Sequence, residues 1–89
     1  MRILQVKIIN KLGLHARASA KFVATAAKYQ SSIEIIKNKQ TINGKSIMGV
    51  MMLAATQNTV LELHINGPDE EMMEQALVNL IQRRFDEDE

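Results

Sequence analysis

Residues 60–84 place two different periods side by side. Val60 to Ile65 alternates, with Leu61, Leu63 and Ile65 on one face and Val60, Glu62 and His64 on the other, the pattern of a half-buried strand. Beyond the break at Asn66-Gly67-Pro68-Asp69, the apolar residues Met73, Ala76, Leu77, Leu80 and Ile81 recur at helical spacing. Acids come early in that helix and Arg83-Arg84 come late, as the helix dipole favours. A strand and a helix that are each apolar on one side must cover one another. A chain of 89 residues has room to do so in one domain, here residues 1–89.

The rest of the chain supplies similar pieces. Leu4, Val6 and Ile8 alternate with polar and apolar neighbours as a strand does. Ala16 to Lys28 is rich in alanine and free of Gly and Pro, which favours helix, with Ala20, Val23, Ala24 and Ala27 on one face. Ile33 to Lys37 is short and β-branched, and Thr41-Ile42 pairs with it across a turn near Asn38-Lys39. Asn43-Gly44 breaks the chain, and Ile47 to Ala55 is a continuous apolar run of helix formers. The order is βαββαβα, with no repeat and no linker. Short strands with helices between them, and one hairpin, predict an α+β domain: an antiparallel sheet covered on one face. Strand order does not follow from these patterns. Aromatic residues are 3% of the chain, so aliphatic side chains and methionine must fill the core.

Cysteine is absent, which fits a reducing compartment. The opening MRILQVKIIN is too interrupted for a signal segment, and no apolar run approaches the ~20 residues of a membrane span. The expectation is a soluble cytoplasmic protein with no membrane association. The net charge of +1 hides an asymmetry: residues 86–89 (DEDE) are all acidic, whereas residues 1–85 hold eleven basic and six acidic side chains. A moderately basic body suits an acidic protein partner or a phosphorylated ligand and is too weak to indicate nucleic acid. The acidic end reads as a solvated terminus.

The stretch GLHARAS (13–19) puts His15 at or beside the N-cap of the first helix. The first N–H groups of that helix, from about Ala16 to Ser19, lack intrahelical acceptors, so an anion is welcome there. Arg17, in the first turn, works against the helix dipole, and a phosphate bound at His15 would give it a purpose. An imidazole nucleophile, backbone donors and a guanidinium could take up a phosphoryl group on a ring nitrogen and pass it on. A histidine that only caps the helix would satisfy the same local pattern.

Ile47 to Ala55 has Gly49 as its only non-apolar break, so it lacks the polar face of an ordinary surface helix. Full burial is difficult in so small a domain, and we expect an exposed patch of Ile47, Met48 and Met51 rimmed by Arg17, Ala20, Lys21 and Lys45. Methionine suits a surface that accepts several partners. Ser46, after Asn43-Gly44-Lys45, is placed as the N-cap of that helix. Gly44-Lys45-Ser46 matches the end of a P-loop, but position 39 is lysine where the first glycine would fall, which excludes a nucleotide site. His64 reads as an exposed surface histidine, and His15 with His64 alone make no metal site.

NKLGLHARASAKF together with NGKSIMGVMMLAA resembles the HPr family, the histidine-containing phosphocarriers of the bacterial phosphotransferase system, over essentially the whole chain. The resemblance implies an open-faced β-sandwich, a four-stranded antiparallel sheet with three helices on one face. It implies a stoichiometric phosphoryl carrier and not a turnover enzyme, without cofactor or metal. His15 would accept a phosphoryl group on Nδ1 from phosphorylated enzyme I and deliver it to enzyme IIA in sugar transport or its regulation, with Arg17 steadying the phosphate. The docking residues would be Ala16, Ala20, Lys21, Lys45, Ile47, Met48 and Met51. Ser46 would be the target of a regulatory HPr serine kinase/phosphorylase, and the carrier would be a monomer. The family usually has proline after the arginine, and this chain has Ala18. The competing class is a small basic RNA-binding or regulatory module; against it, Phe22, Tyr29 and Phe85 are the only aromatics and no strand carries one for base stacking.

Overall fold

Four strands and three helices follow one another in the predicted order, and the computed structural model describes all 89 residues. Strands β1 (Arg2–Lys7), β2 (Ser32–Lys37), β3 (Gln40–Asn43) and β4 (Val60–Asn66) form one antiparallel sheet in the order β1-β4-β2-β3. The last strand in sequence is thus inserted between the first two. Helices α1 (Ala16–Ala26), α2 (Ile47–Met52) and α3 (Glu70–Gln82) cover one face, making the open-faced α+β sandwich.

Register shows why these strands choose these neighbours. Leu4 pairs with Leu63, Leu63 with Ile35, and Ile35 with Ile42, so one row of aliphatic side chains crosses all four strands on the helix side. The adjacent row on the open face is Ile3, His64, Glu34 and Asn43. Because side chains alternate, a slip of one residue would exchange the two rows and put Glu34 and His64 into the core. Beneath the helices, Phe22 from α1, Val50 from α2 and Met73, Leu77 and Ile81 from α3 close onto Ile33, Ile35, Leu61, Leu63 and Ile65. Asp69 does not cap α3 with its side chain. Its carboxylate accepts from the N–H groups of Gln30 and Ser31, each at 2.9 Å, and from the Ser31 hydroxyl at 2.5 Å, tying the start of α3 to the turn before β2.

Four sequence expectations change. The buried face of α1 is Ala18, Ser19, Phe22 and Ala26, while Ala20, Ala24 and Ala27 are exposed and Val23 is half-buried. One large ring decides the rotation of a helix whose other residues are mostly small: burying Phe22 gains more than burying several alanine methyls. The helix ends at Ala26, after which bonds from Lys28 N–H to Thr25 and from Tyr29 N–H to Ala26 tighten the last turn. The apolar run 47–55 is helical only through Met52. Ala54 adopts φ +50° and turns the chain so that buried Ala55 can accept a hydrogen bond from Leu14 N–H at 2.9 Å. His64 is half-buried and pairs through Nε2 with Glu62 at 2.5 Å, instead of standing free in solvent.

Candidate functional site

The loop into α1 is held from below. Gly13 has φ +69°, and a Cβ there would come within 2.3 Å of the Ala55 carbonyl oxygen, so glycine is required by both conformation and space. Ser19, fully buried, donates from its hydroxyl to the Leu14 carbonyl at 3.0 Å and from its N–H to the His15 carbonyl at 2.8 Å. Together these contacts fix the peptide that carries His15.

His15 is the N-cap of α1, in extended conformation, and its Nδ1 accepts from Arg17 N–H at 3.3 Å. That acceptor role places the ring proton on Nε2, which donates to Glu87 Oε2. The His15 side chain remains 29% exposed and Glu87 13%. The N–H groups of Ala16, Arg17 and Ala18 have no backbone acceptor, which leaves donors at the positive end of the dipole that His15 caps. Arg17 is exposed, and its guanidinium enters no ion pair within the chain. The site therefore offers a ring nitrogen with a lone pair, backbone donors and a free cation, a set suited to a tetrahedral anion.

The acidic end of the chain is part of this arrangement, contrary to the expectation of a solvated terminus. After α3 the backbone passes through Arg84, Phe85 and Asp86, all left-handed at φ +57°, +54° and +62°. Each such non-glycine residue costs about 1–2 kcal/mol. Phe85 is fully buried, and burial of such a ring contributes about 2–3 kcal/mol. Lys21 Nζ donates to the Phe85 carbonyl at 2.7 Å, and Lys11 N–H donates to the Glu89 carbonyl at 2.8 Å. The turn delivers Glu87 to the ring. Asn10, fully buried, donates through Nδ2 to Glu87 Oε1 at 3.0 Å and to the Gly13 carbonyl at 2.9 Å. Burial pushes the Glu87 carboxyl up, but the hydrogen bonds from Asn10 and His15, with the Lys21 ammonium nearby, outweigh it and hold the group below the ordinary carboxylate range. Asn10, Ser19 and Glu87 were not singled out from the sequence. Their roles depend on contacts made after the chain closes; only the four consecutive acids hinted at the last of them.

The docking expectation falls on a surface that is indeed open. Ile47, Met48 and Met51 are exposed, Met48 by 68%. Met52 at 66% and Leu12 at 67% are further large exposed apolar side chains, neither anticipated. Ala16 and Ala20 are exposed on α1. Lys21 and Lys45 are half-buried, and each ammonium is engaged by a backbone carbonyl, Lys45 donating to Tyr29 at 2.8 Å. Ser46 is the N-cap of α2, its hydroxyl accepting from Gly49 N–H at 3.1 Å.

A small open-faced sandwich whose first helix is capped by a histidine, with a free guanidinium beside it, presents an exposed site for an anionic group. Comparison with known proteins gives the class its name. The family model described as the phosphorylation site of the HPr component of the phosphotransferase system (PTS) matches residues 4–83. The chain is 54% identical to the phosphocarrier protein HPr of Neisseria meningitidis serogroup A over 84 residues, 94% of each chain. It superposes on HPr-C-His from Thermoanaerobacter tengcongensis with TM-score 0.96 at 45% identity over the whole of both chains. An HPr dimer from the same organism gives TM-score 0.78 at 46% identity, covering 98% of this chain and all of that one. The chain belongs to the HPr family of phosphocarriers of the phosphotransferase system. No helix in it is long and apolar enough to cross a membrane.

Proposed function

We propose that His15 accepts a phosphoryl group on Nδ1 from phosphorylated enzyme I and passes it to enzyme IIA. The observation that carries this reading is the direction of Nδ1, which faces the N–H of Arg17 in the first turn of α1 and not the carboxylate on the other side of the ring. In the transfer, the Nδ1 lone pair attacks phosphorus in line with the departing group. The new N–P bond forms as the donor's bond to phosphorus breaks, and that electron pair leaves with the donor. The 3.3 Å bond from Arg17 N–H is long and easily surrendered, and the same N–H can then donate to a phosphoryl oxygen. The free Arg17 guanidinium neutralises charge on the oxygens during transfer. Ala18 keeps an N–H that proline would lack, which adds a donor at the same helix end.

Docking belongs to Ile47, Met48 and Met51 with Ala16 and Ala20 beside them, and the fixed Lys21 and Lys45 border the patch. Such a surface suits a carrier that must leave each partner in turn. Ser46, at the edge of this patch, is where a serine kinase would switch docking: a phosphate there adds about −1.5 to −2 charges. The carrier works as a monomer with no bound cofactor. Incubation with phosphoenolpyruvate and enzyme I, followed by intact mass, tests the central reading. A gain of one phosphate that is lost in acid, and is absent from His15→Ala, is the expected result. Acid-labile phosphate retained on His15→Ala would move the site to His64 and overturn it.

A further inference from the structure

The C-terminal turn brings a carboxylate to the edge of the His15 ring opposite the proposed reaction. Glu87 Oε2 accepts from His15 Nε2, while its other oxygen is held at 3.0 Å by Asn10 Nδ2. Asn10 is itself buried and anchored to the Gly13 carbonyl, so the carboxylate has a fixed orientation. The approach is secured elsewhere by buried Phe85, by Lys21 on the Phe85 carbonyl and by Lys11 N–H on the Glu89 carbonyl. Three consecutive left-handed residues are needed to bring the chain back, and such backbone persists where its surroundings over-determine it.

Resting on His15 as phosphoryl acceptor, we propose that Glu87 is a positioning residue for the transfer, holding the imidazole with its proton on Nε2 and its lone pair on Nδ1. Without a partner at Nε2, only the long bond from Arg17 N–H favours the proton on Nε2, and the Nδ1–H form has no lone pair on Nδ1 with which to attack phosphorus. The carboxylate also acts on charge. When Nδ1 bonds phosphorus the ring becomes cationic, with its proton still on Nε2, and Glu87 lies next to that proton. In the onward step the N–P bond breaks, the electron pair returns to Nδ1, and the Nε2 proton stays where it was. A carboxylate on the far nitrogen of a histidine orients and tunes the ring in metal sites and in hydrolase triads by the same physics.

The experiment uses the full chain labelled with 15N at histidine. In the wild type, near pH 8, the His15 resonances should show protonated Nε2 and unprotonated Nδ1. In Glu87→Ala the two tautomers should mix, and phosphoryl transfer from enzyme I should slow by about tenfold. Glu87→Gln, whose amide oxygen still accepts from Nε2 but carries no charge, should keep the tautomer and recover part of the rate. Two controls separate tautomer control from loss of structure: the melting temperature, and docking to unphosphorylated enzyme I. Wild-type rate and an unmixed tautomer in Glu87→Ala would overturn the proposal, as would a wild-type ring protonated at Nδ1. A wild type that takes up no phosphate would instead overturn the function assigned to His15, and the nitrogen resonances would still decide whether Glu87 sets the tautomer.

Discussion

Helices α1 and α2 both begin on a side chain that accepts a hydrogen bond from the first turn. His15 Nδ1 accepts from Arg17 N–H at 3.3 Å, and Ser46 Oγ accepts from Gly49 N–H at 3.1 Å. Neither helix has an acid in its first turn, so both positive ends are left uncompensated by side chains. The surroundings differ. His15 is gripped from the outside by Glu87, which Asn10 holds in turn, whereas Ser46 meets an open apolar surface along α2. Serine is an ordinary cap and histidine is not, so His15 gains less from capping than it can gain from an anion. The contrast teaches how one piece of helix physics serves two ends: at α1 the cap is a reactive atom held in place, and at α2 it is a structural hydroxyl beside a docking surface.

The largest effect that would sharpen this comparison is complete loss of phosphoryl uptake in His15→Ala with the fold retained, measured by intact mass and melting temperature. Ser46→Ala should still take up phosphate, and a failure to do so would erase the distinction between the two helix starts. Next, Arg17→Ala should slow transfer about 100-fold while leaving docking to enzyme I nearly unchanged, because the guanidinium is free and acts on the phosphoryl group. Rapid-quench rates measured beside dissociation constants check this; weaker docking at an unchanged rate would make Arg17 a steering charge. Met48→Asp, on the exposed side of α2, should weaken enzyme I binding by about tenfold, roughly 1.4 kcal/mol, without lowering the melting temperature.

Smaller effects concern the caps themselves. Ser46→Ala should cost about 1 kcal/mol of stability. Ser46→Asp should keep the melting temperature, since aspartate caps as well and adds a charge the dipole favours, yet slow transfer at His15 by repelling acidic partner groups. Equal transfer rates in the two variants would reduce Ser46 to a cap alone. The start of α3 supplies the mildest test. Hydrogen bonds from the Ser31 hydroxyl and from the Gln30 and Ser31 N–H groups lower the Asp69 carboxyl below its ordinary value of 3.8. Its contribution to stability is therefore complete above that value and is lost as the pH falls through the folded-state value. The gap in melting temperature between wild type and Asp69→Asn should close as the pH is taken below about 4. A gap that stayed constant into acid would show that the carboxylate charge is not what ties α3 to β2.

Much of this molecule follows from local pattern. The alternation of Val60 to Ile65 and the stripe Met73, Ala76, Leu77, Leu80, Ile81 were enough to define β4 and α3, because side-chain period follows directly from backbone geometry. The caps His15 and Ser46 were legible for the same reason: a helix end affects only residues within one turn of it. The exposure of Ile47, Met48 and Met51 followed from a helix with no polar face in a domain too small to bury it all round. Tertiary structure alone decided the insertion of β4 between β1 and β2, the rotation of α1 toward Phe22 and the breaking of the apolar run after Met52. It also decided the return of Glu87 to His15, a contact between residues 72 positions apart. Register, rotation and long-range return are set by which distant surfaces fit together. The acidic residues at the end of the chain carry no periodic signal, and it is the buried ring of Phe85, the carbonyl contacts of Lys21 and Lys11 and the bond from Asn10 to Glu87 that draw them to the site.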